Sequence, residues 1–594
     1  MEEVAGDHEV RYEDEGEKAP SLAEVPIGEV TSKEALEAYN VPIGRIAITE
    51  RTPTTPSKFT FWIKDDASID LEPGDFVKVL GANGLIIAQV TGIEARKSVS
   101  NPIDEFYSSG YGDPSYEVRT ERPTIRIATA SIVYRESRKR SPPVENSPVF
   151  VATPEDIVRA YNATIPKRYR ILAGFTFDYY GEPVPIFIDR RYLLGYEGAH
   201  MNITGASGLA TKTSYALFLI MCILTFCDDV AVIAMNVKEQ DLLTVDRLPK
   251  DFDEAFNLIK ERDIDPINIK LWRKASELGV DPYKILKRGY RIYVPGAEPS
   301  TRGAFNYYYG FKDMLDIGPF ALNLFFDKED LDDKMESLIF SVYEKYKEQD
   351  DASFNKLLRD LRELQESSGG RRRGDTGQWV RIGGTVHHRS TLSKFRNRVD
   401  YAIRKQLADV LTVDEARGKP IDVNKLKPGD FWVIDISKLH IKGQRLIFYL
   451  VLEAIHRKLE QLKYSGGGSG FPRRVVVFVD ELNKFAPKGR EYEAIKRRIV
   501  EITSRGRSVG LSLIGAQQLA SAVDPEVLVN CSTYVVGWTH PHELNRDIYN
   551  WIEPGLKEVL KFFEKGELLI WHTVHKTPVR VRFPIPLHHP MGWE

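Results

Sequence analysis

Five short runs of apolar residues, DVAVIAMNV, DFWVIDIS, RRVVVFVDEL, GLSLIGAQ and STYVVGWT, recur between residues 229 and 539, with helix-length segments between them. A strand that is apolar throughout has to be covered on both faces, and strands joined through helices run parallel. This pattern commits the chain after about Pro148 to a mainly parallel sheet between two helical layers. DKMESLIFSVYEKYKEQ and QRLIFYLVLEAIHRKLEQLK read as two of the covering helices. Earlier the texture differs. From Ile43, GRIAITE, KFTFWIK, GDFVKVLGANGLIIAQVTGIEA and TIRIATASIVY alternate with period two and break at turn residues. They predict a small antiparallel barrel, with NPIDEFYSSGYGDPSYEVRTER as a long internal loop.

The expected domains are an acidic disordered tail over 1–25, a barrel over 26–147 and an α/β domain over 148–594 with a helical insertion at about 240–420. The Gly-rich, basic stretches Glu366–Trp379 and Lys463–Arg474 read as mobile loops. A chain of 594 residues with net charge −3 is no uniformly basic nucleic-acid binder, although a channel needs only a few inward-facing cations. Three cysteines, Cys222, Cys227 and Cys531, give neither a disulfide framework nor a zinc site. Eight acidic and two basic residues in the first twenty oppose a secretory signal, and the longest largely apolar run, Tyr215 to Phe226, is too short to span a bilayer. A cytoplasmic location is expected.

One loop carries candidate chemistry. HMNITGASGLATKTSYALFLI, His200 to Ile220, passes from a strand through small residues into an apolar helix. Converging backbone N–H groups at a helix N-terminus cradle phosphates, and small residues permit the approach. Gly205, Ala206, Ser207, Gly208, Leu209, Ala210 and Thr211 form the loop. Lys212 supplies a point charge for the outer phosphates, and Thr213, with Ser214 in reserve, a hydroxyl for Mg²⁺. The spacing is one residue longer than G-x-x-x-x-G-K-[ST], and Thr211 stands where a glycine is usual. A small-residue turn that merely packs a helix on a strand would read the same way.

Two further segments bear on that choice. VVVFVDEL ends in Asp480 and Glu481, where the first acid can hold Mg²⁺ through water and the second can orient or deprotonate the attacking water. An acidic pair can also simply cap the next helix. In SRGRSVGLSLIGAQQ, Arg505 and Arg507 close a helix and Gln517 ends the following strand. The amide can sense a γ-phosphate and the arginines can serve a neighbouring subunit's site; solvated helix-end cations are the alternative.

Barrel, GAHMNITGASGLATKTS, VVVFVDELNKFAP, RGRSVGLSLIGAQQLASAVDPEVLVNCST and the closing KGELLIWHTVHKTPVRVRFP together resemble the HerA branch of the FtsK/HerA superfamily of hexameric motor ATPases. The resemblance runs from about Ile43 to the C-terminus. It implies an α/β fold: a RecA-like P-loop ATPase core with a mainly parallel sheet behind a small N-terminal β-barrel. It also implies ATP and Mg²⁺, with Lys212 and Thr213 as the P-loop pair and Thr213 and Asp480 on the metal. Glu481 is then the water residue, Gln517 the sensor, and Arg505 or Arg507 a finger given in trans. Partners implied are duplex DNA in the ring channel, five further copies, and a NurA-type nuclease or a phage-defence effector. The chain departs from the family's GSTGSGKS-like loop and from its SQRP-like sensor, which here reads AQQL.

Arg371, Arg372 and Arg373, with Lys394, Arg396 and Arg398, are candidate DNA-backbone contacts or solvated cations. The pairs His387/His388, His540/His542 and His588/His589 lack a second ligand cluster and read as surface or hydrogen-bonded histidines. The activity expected is ATP-dependent DNA translocation or unwinding. The alternatives are a ring-forming nucleotide scaffold with little hydrolysis and a conjugation- or secretion-type pump.

Overall fold

A computed structural model describes residues 39–588, except 51–52, 67, 82–83, 98–101, 109, 112, 116–123, 196–197, 207, 209–211, 239–241, 284–288, 297–303, 367–377, 466–469 and 490–492. The acidic tail and Arg371, Arg372 and Arg373 therefore lie outside the described residues.

Strands β1 (Gly44–Ala47), β2 (Lys58–Ile63), β3 (Phe76–Gly81), β4 (Gly84–Arg96), β5 (Ile125–Arg135) and β6 (Pro148–Val151) close into a barrel in the order β1-β2-β5-β4-β3-β6. Alternate residues point inward, so Ile46, Phe59, Phe61, Val77, Val79, Ala88 and Val149 share one core. Register shifts at Ile87/Ala88 and Val90/Gly92 bend the long β4 around it. Closure depends on Val149, which pairs with both Gly44 and Val79. The barrel thus runs on to Val151, past residue 147.

The second unit contains β7 (Arg170–Phe177), β8 (Pro183–Asp189), β9 (Ala199–Thr204), β10 (Val230–Asn236), β11 (Tyr290–Pro295), β12 (Phe305–Tyr307), the hairpin β13 (Trp379–Ile382) and β14 (Thr385–His388), β15 (Phe431–Asp435), β16 (Arg474–Asp480), β17 (Leu511–Gln517), β18 (Cys531–Val536), β19 (Glu567–His572) and β20 (Val579–Arg582). Apart from the hairpin they form one sheet, ordered β12-β11-β15-β10-β16-β17-β9-β18-β19-β20-β7-β8. From β12 to β18 every neighbour is parallel. From β18 to β8 every neighbour is antiparallel. The sheet is therefore mixed, and the insertion between β10 and β15 is not purely helical, since it supplies β11 and β12.

The period-two geometry of a strand sends alternate side chains to opposite layers. Ala231, Ile233, Met235, Val475, Val477 and Val479 enter one core, and Val230, Val232, Ala234, Val476 and Phe478 the other. The Ile441–Tyr464 helix covers the first face and the Lys212–Phe226 helix the second. The latter is apolar all round because it is covered again on its outer side, where Trp272 of the Ile267–Glu277 helix meets Phe218 edge-on. Among the described residues no helix is long and apolar enough to cross a membrane.

The barrel rests on this unit through the Pro554–Leu560 helix. A Cβ added at Gly555 would lie 1.8 Å from the Thr91 carbonyl oxygen, so only glycine allows the approach. Beside it Glu553 accepts from Ser131 at 2.7 Å and pairs with Lys58 at 3.1 Å.

Candidate nucleotide site

Strand β9 lies between β17 and β18, with Thr204 opposite both Gln517 and Val536. Past Thr204 the chain turns through Gly205 (φ +145°) and Gly208 (φ +79°), left-handed values that glycine adopts without a steric penalty. The helix then begins at Lys212. Ser207, Leu209, Ala210 and Thr211 lie outside the described residues. The loop is anchored on its β18 side, where Gly537 N–H donates to Thr204 O at 2.9 Å and Ala206 N–H to Trp538 O at 2.8 Å. The Ala206 amide is thus engaged within the protein.

Lys212 is buried, and its ammonium folds back to donate to Gly205 O at 2.7 Å. Burial pushes its pKa down, the nearby Lys238 adds to that, and Asp480 and Glu481 oppose it. Thr213, the next residue, donates its hydroxyl to Asp480 Oδ2 at 3.1 Å. The stretched loop and the acidic strand end therefore meet in one site.

Strand β16 is buried along its whole length and delivers Asp480 at its carboxyl end. Asp480 Oδ1 accepts from the Glu481 N–H at 2.9 Å, which turns the chain sharply. Glu481 itself has φ +56°, a region that non-glycine residues seldom occupy and that is associated with functional positions. Close packing over β17 holds the turn: a Cβ at Gly515 would fall 2.3 Å from Leu482 Cδ2. Glu481 is 9% exposed, and its Oε1 makes no hydrogen bond among the described residues.

Strand β17 separates the loop strand from the acidic strand, and Gln517 stands at its end. It is fully buried, and neither side-chain amide atom has a hydrogen-bond partner among the described residues. An unpaired buried amide costs on the order of 1–3 kcal/mol, so Gln517 is a candidate to meet a ligand at this strand end.

Lys238 was not anticipated. It lies two residues past β10, the other neighbour of β16, with Nζ 2.8 Å from Asp480 Oδ2 and 3.5 Å from Glu481 Oε1. The signal was present in the sequence: a lysine just beyond the apolar run DVAVIAMNV stands at the carboxyl edge of a parallel strand, where such sheets bind ligands.

Other candidates lie elsewhere. Arg505 and Arg507 precede β17, whose seven residues put about 20 Å between them and Gln517. Arg505 is exposed and pairs with Glu501 at 3.8 Å. Lys394 and Arg398 of the Arg389–Tyr401 helix hold the buried Asp330 at 3.0 and 2.8 Å, and Arg396 bonds Gln365. Of the histidines, His387 bonds Ser341, and His388 and His540 cap helices. His589 lies outside the described residues.

The donor set fits a Mg²⁺-nucleotide: a buried ammonium, a hydroxyl beside a carboxylate, a second carboxylate with an oxygen outside any hydrogen bond, and an amide with no partner among the described residues. No protein-family model matches the chain, and no curated protein does. Among solved structures it is similar to VirB4 of Thermoanaerobacter pseudethanolicus (14% identity, 72% of this chain and 99% of that one, TM-score 0.44). The bacterial conjugative coupling protein TrwB also matches (13% identity, 73% and 93% covered, TM-score 0.41). So does the genome packaging NTPase B204 of Sulfolobus turreted icosahedral virus 2, bound to ATP-gammaS (16% identity, 27% and 72% covered, TM-score 0.21). These likenesses are too distant to bear on function, which rests on the site.

Proposed function

We propose that this chain is an ATPase that drives DNA through a ring of six copies. The observation that carries the reading is the meeting of Thr213 with Asp480, which brings the loop, the acidic pair and Gln517 to one edge of the sheet. When bound, Mg²⁺ neutralises charge on the phosphate oxygens. Thr213 and Asp480 would hold it, and Lys212 would bind the outer phosphates with the charge it now shares with Gly205 O. Glu481, with a carboxylate oxygen that makes no hydrogen bond among the described residues and sits in a strained turn, orients the attacking water and takes its proton. Gln517 reads the terminal phosphate.

Arg505 and Arg507 are too far from this site to act within their own chain, which favours an interface site completed by a neighbour. A ring with sites at its interfaces provides that arrangement. The barrel then offers one face to a partner, a NurA-type nuclease in end processing or an effector in phage defence.

Steady-state ATP hydrolysis, with and without linear duplex DNA, tests the reading beside Glu481→Gln. DNA-stimulated turnover that the variant loses supports the motor. Turnover indifferent to DNA favours a secretion-type pump, and binding without turnover favours a nucleotide scaffold. Failure to bind nucleotide overturns the reading.

A further inference from the structure

Asp480 Oδ2 accepts from Thr213 Oγ1 and also meets Lys238 Nζ at 2.8 Å. Asp480 is the carboxylate that would hold a divalent cation together with Thr213, and it is already paired with an ammonium. The same ammonium lies 3.5 Å from Glu481 Oε1, a Coulombic contact with the oxygen that makes no hydrogen bond among the described residues. Asp480 is 4% exposed at its side chain and Glu481 11%, whereas Lys238 is 34% exposed. Two adjoining buried carboxylates are costly without counter-charge, and to the buried Lys212 nearby Lys238 adds a directly paired one with a path to solvent.

Resting on the nucleotide-site reading, we infer that Lys238 is a resident counter-ion: it fills the cation position while the site is empty and makes divalent-metal binding conditional on nucleotide. An ammonium and a divalent cation held by one carboxylate would repel strongly, so the lysine would have to move aside for the metal. The anionic phosphates offer it a new partner, and a metal ion alone does not. Metal and nucleotide therefore arrive together, and the acids stay paired between turnovers.

Binding of Mn²⁺ to the full-length protein without nucleotide, followed by electron paramagnetic resonance, tests this directly. Lys238→Met is expected to bind one Mn²⁺ per chain about tenfold or more tighter than wild type, by analogy with the strength of charged hydrogen bonds. Lys238→Arg, which keeps the charge, should behave as wild type, and adding Asp480→Asn to Lys238→Met should remove the gain. Lys238→Gln, closer in shape and polarity, is carried in parallel so that a folding defect in the methionine variant leaves the comparison intact. With ADP present, wild type and the neutral variants should converge. Equal Mn²⁺ affinity of wild type and both neutral variants without nucleotide would overturn the inference while leaving the site reading in place. Failure of wild type to bind ADP with Mn²⁺ would instead remove the site reading itself.

Discussion

Thr213 donates its hydroxyl to Asp480 Oδ2 at 3.1 Å although the two residues stand 267 apart in the chain. The contact ties the start of a helix on one face of the sheet to the end of a central strand. It also separates two roles that share a loop. Under the proposed function Lys212 would carry charge toward the anion and Thr213 a hydroxyl toward the metal. Lys212→Ala should weaken nucleotide binding about tenfold or more whether or not Mg²⁺ is present. Thr213→Val should weaken only the Mg²⁺-dependent part. Fluorescent-nucleotide titrations with Mg²⁺ and with a chelator distinguish the two patterns.

The distance between Arg507 and Gln517 predicts complementation between chains. Alanine at the arginine that acts as the finger should lower kcat by about 10³–10⁵ while leaving nucleotide affinity near wild type. Mixing that variant with Lys212→Ala chains should restore part of the activity, because hybrid rings contain interfaces with both elements intact. Steady-state hydrolysis across mixing ratios measures this. A strictly additive response would overturn a finger given in trans.

Gly515 predicts a defect transmitted through packing. A methyl group there collides with Leu482, the residue after Glu481, and has to displace the strained turn. Gly515→Ala should cost about 1–3 kcal/mol of stability and lower kcat with little change in nucleotide affinity. Thermal melts beside kinetics separate the two effects. Loss of stability with unaltered kcat would show that the turn yields without moving Glu481.

Asp75 predicts a pH dependence at the seam between barrel and sheet. It lines a cleft of about 400 Å³ with Glu72, Asp178, Glu567 and Arg580. Burial raises its pKa to about 7, Glu72 and Asp70 add to the rise, and the Glu72 N–H and Arg580 oppose it. The folded chain therefore keeps a proton that the unfolded chain releases near pH 4. Between about pH 4 and about 7 the native state binds more protons, so stability falls as pH rises through that window. Melting measured at pH 5 and pH 8 should show the seam weaker at pH 8, and Asp75→Asn should narrow the difference.

Much of this architecture is written locally. The five apolar runs became β10, β15, β16, β17 and β18, because short Val/Ile-rich segments spaced by helix-length stretches suit the covered strands of a parallel sheet. The loop at Gly205 and the acids at 480 and 481 stood out as candidates for a similar reason, since each pattern lies within a few residues. What escaped was set by neighbours distant in sequence. β12 has three residues, and β11, YRIYVP, carries an arginine and is buried only at Tyr293, so neither shows the continuous apolar run that marks the central strands. The antiparallel turn of the sheet beyond β18 follows from strand order. Lys238 became part of the site only because β10 pairs with β16. The engagement of the Ala206 amide by Trp538 likewise follows from β18 lying beside β9, which no local pattern encodes.

The contact of Gly555 with Thr91 bears on how such a chain can be recombined. The barrel is contiguous in sequence, yet the surface that receives it is built hundreds of residues later by Glu553 and Gly555. A graft cut only at the barrel's own ends would set a foreign strand against a glycine shaped for Thr91. The natural unit of exchange is therefore discontinuous: the barrel together with the first turn of the Pro554–Leu560 helix, inherited or engineered as one piece.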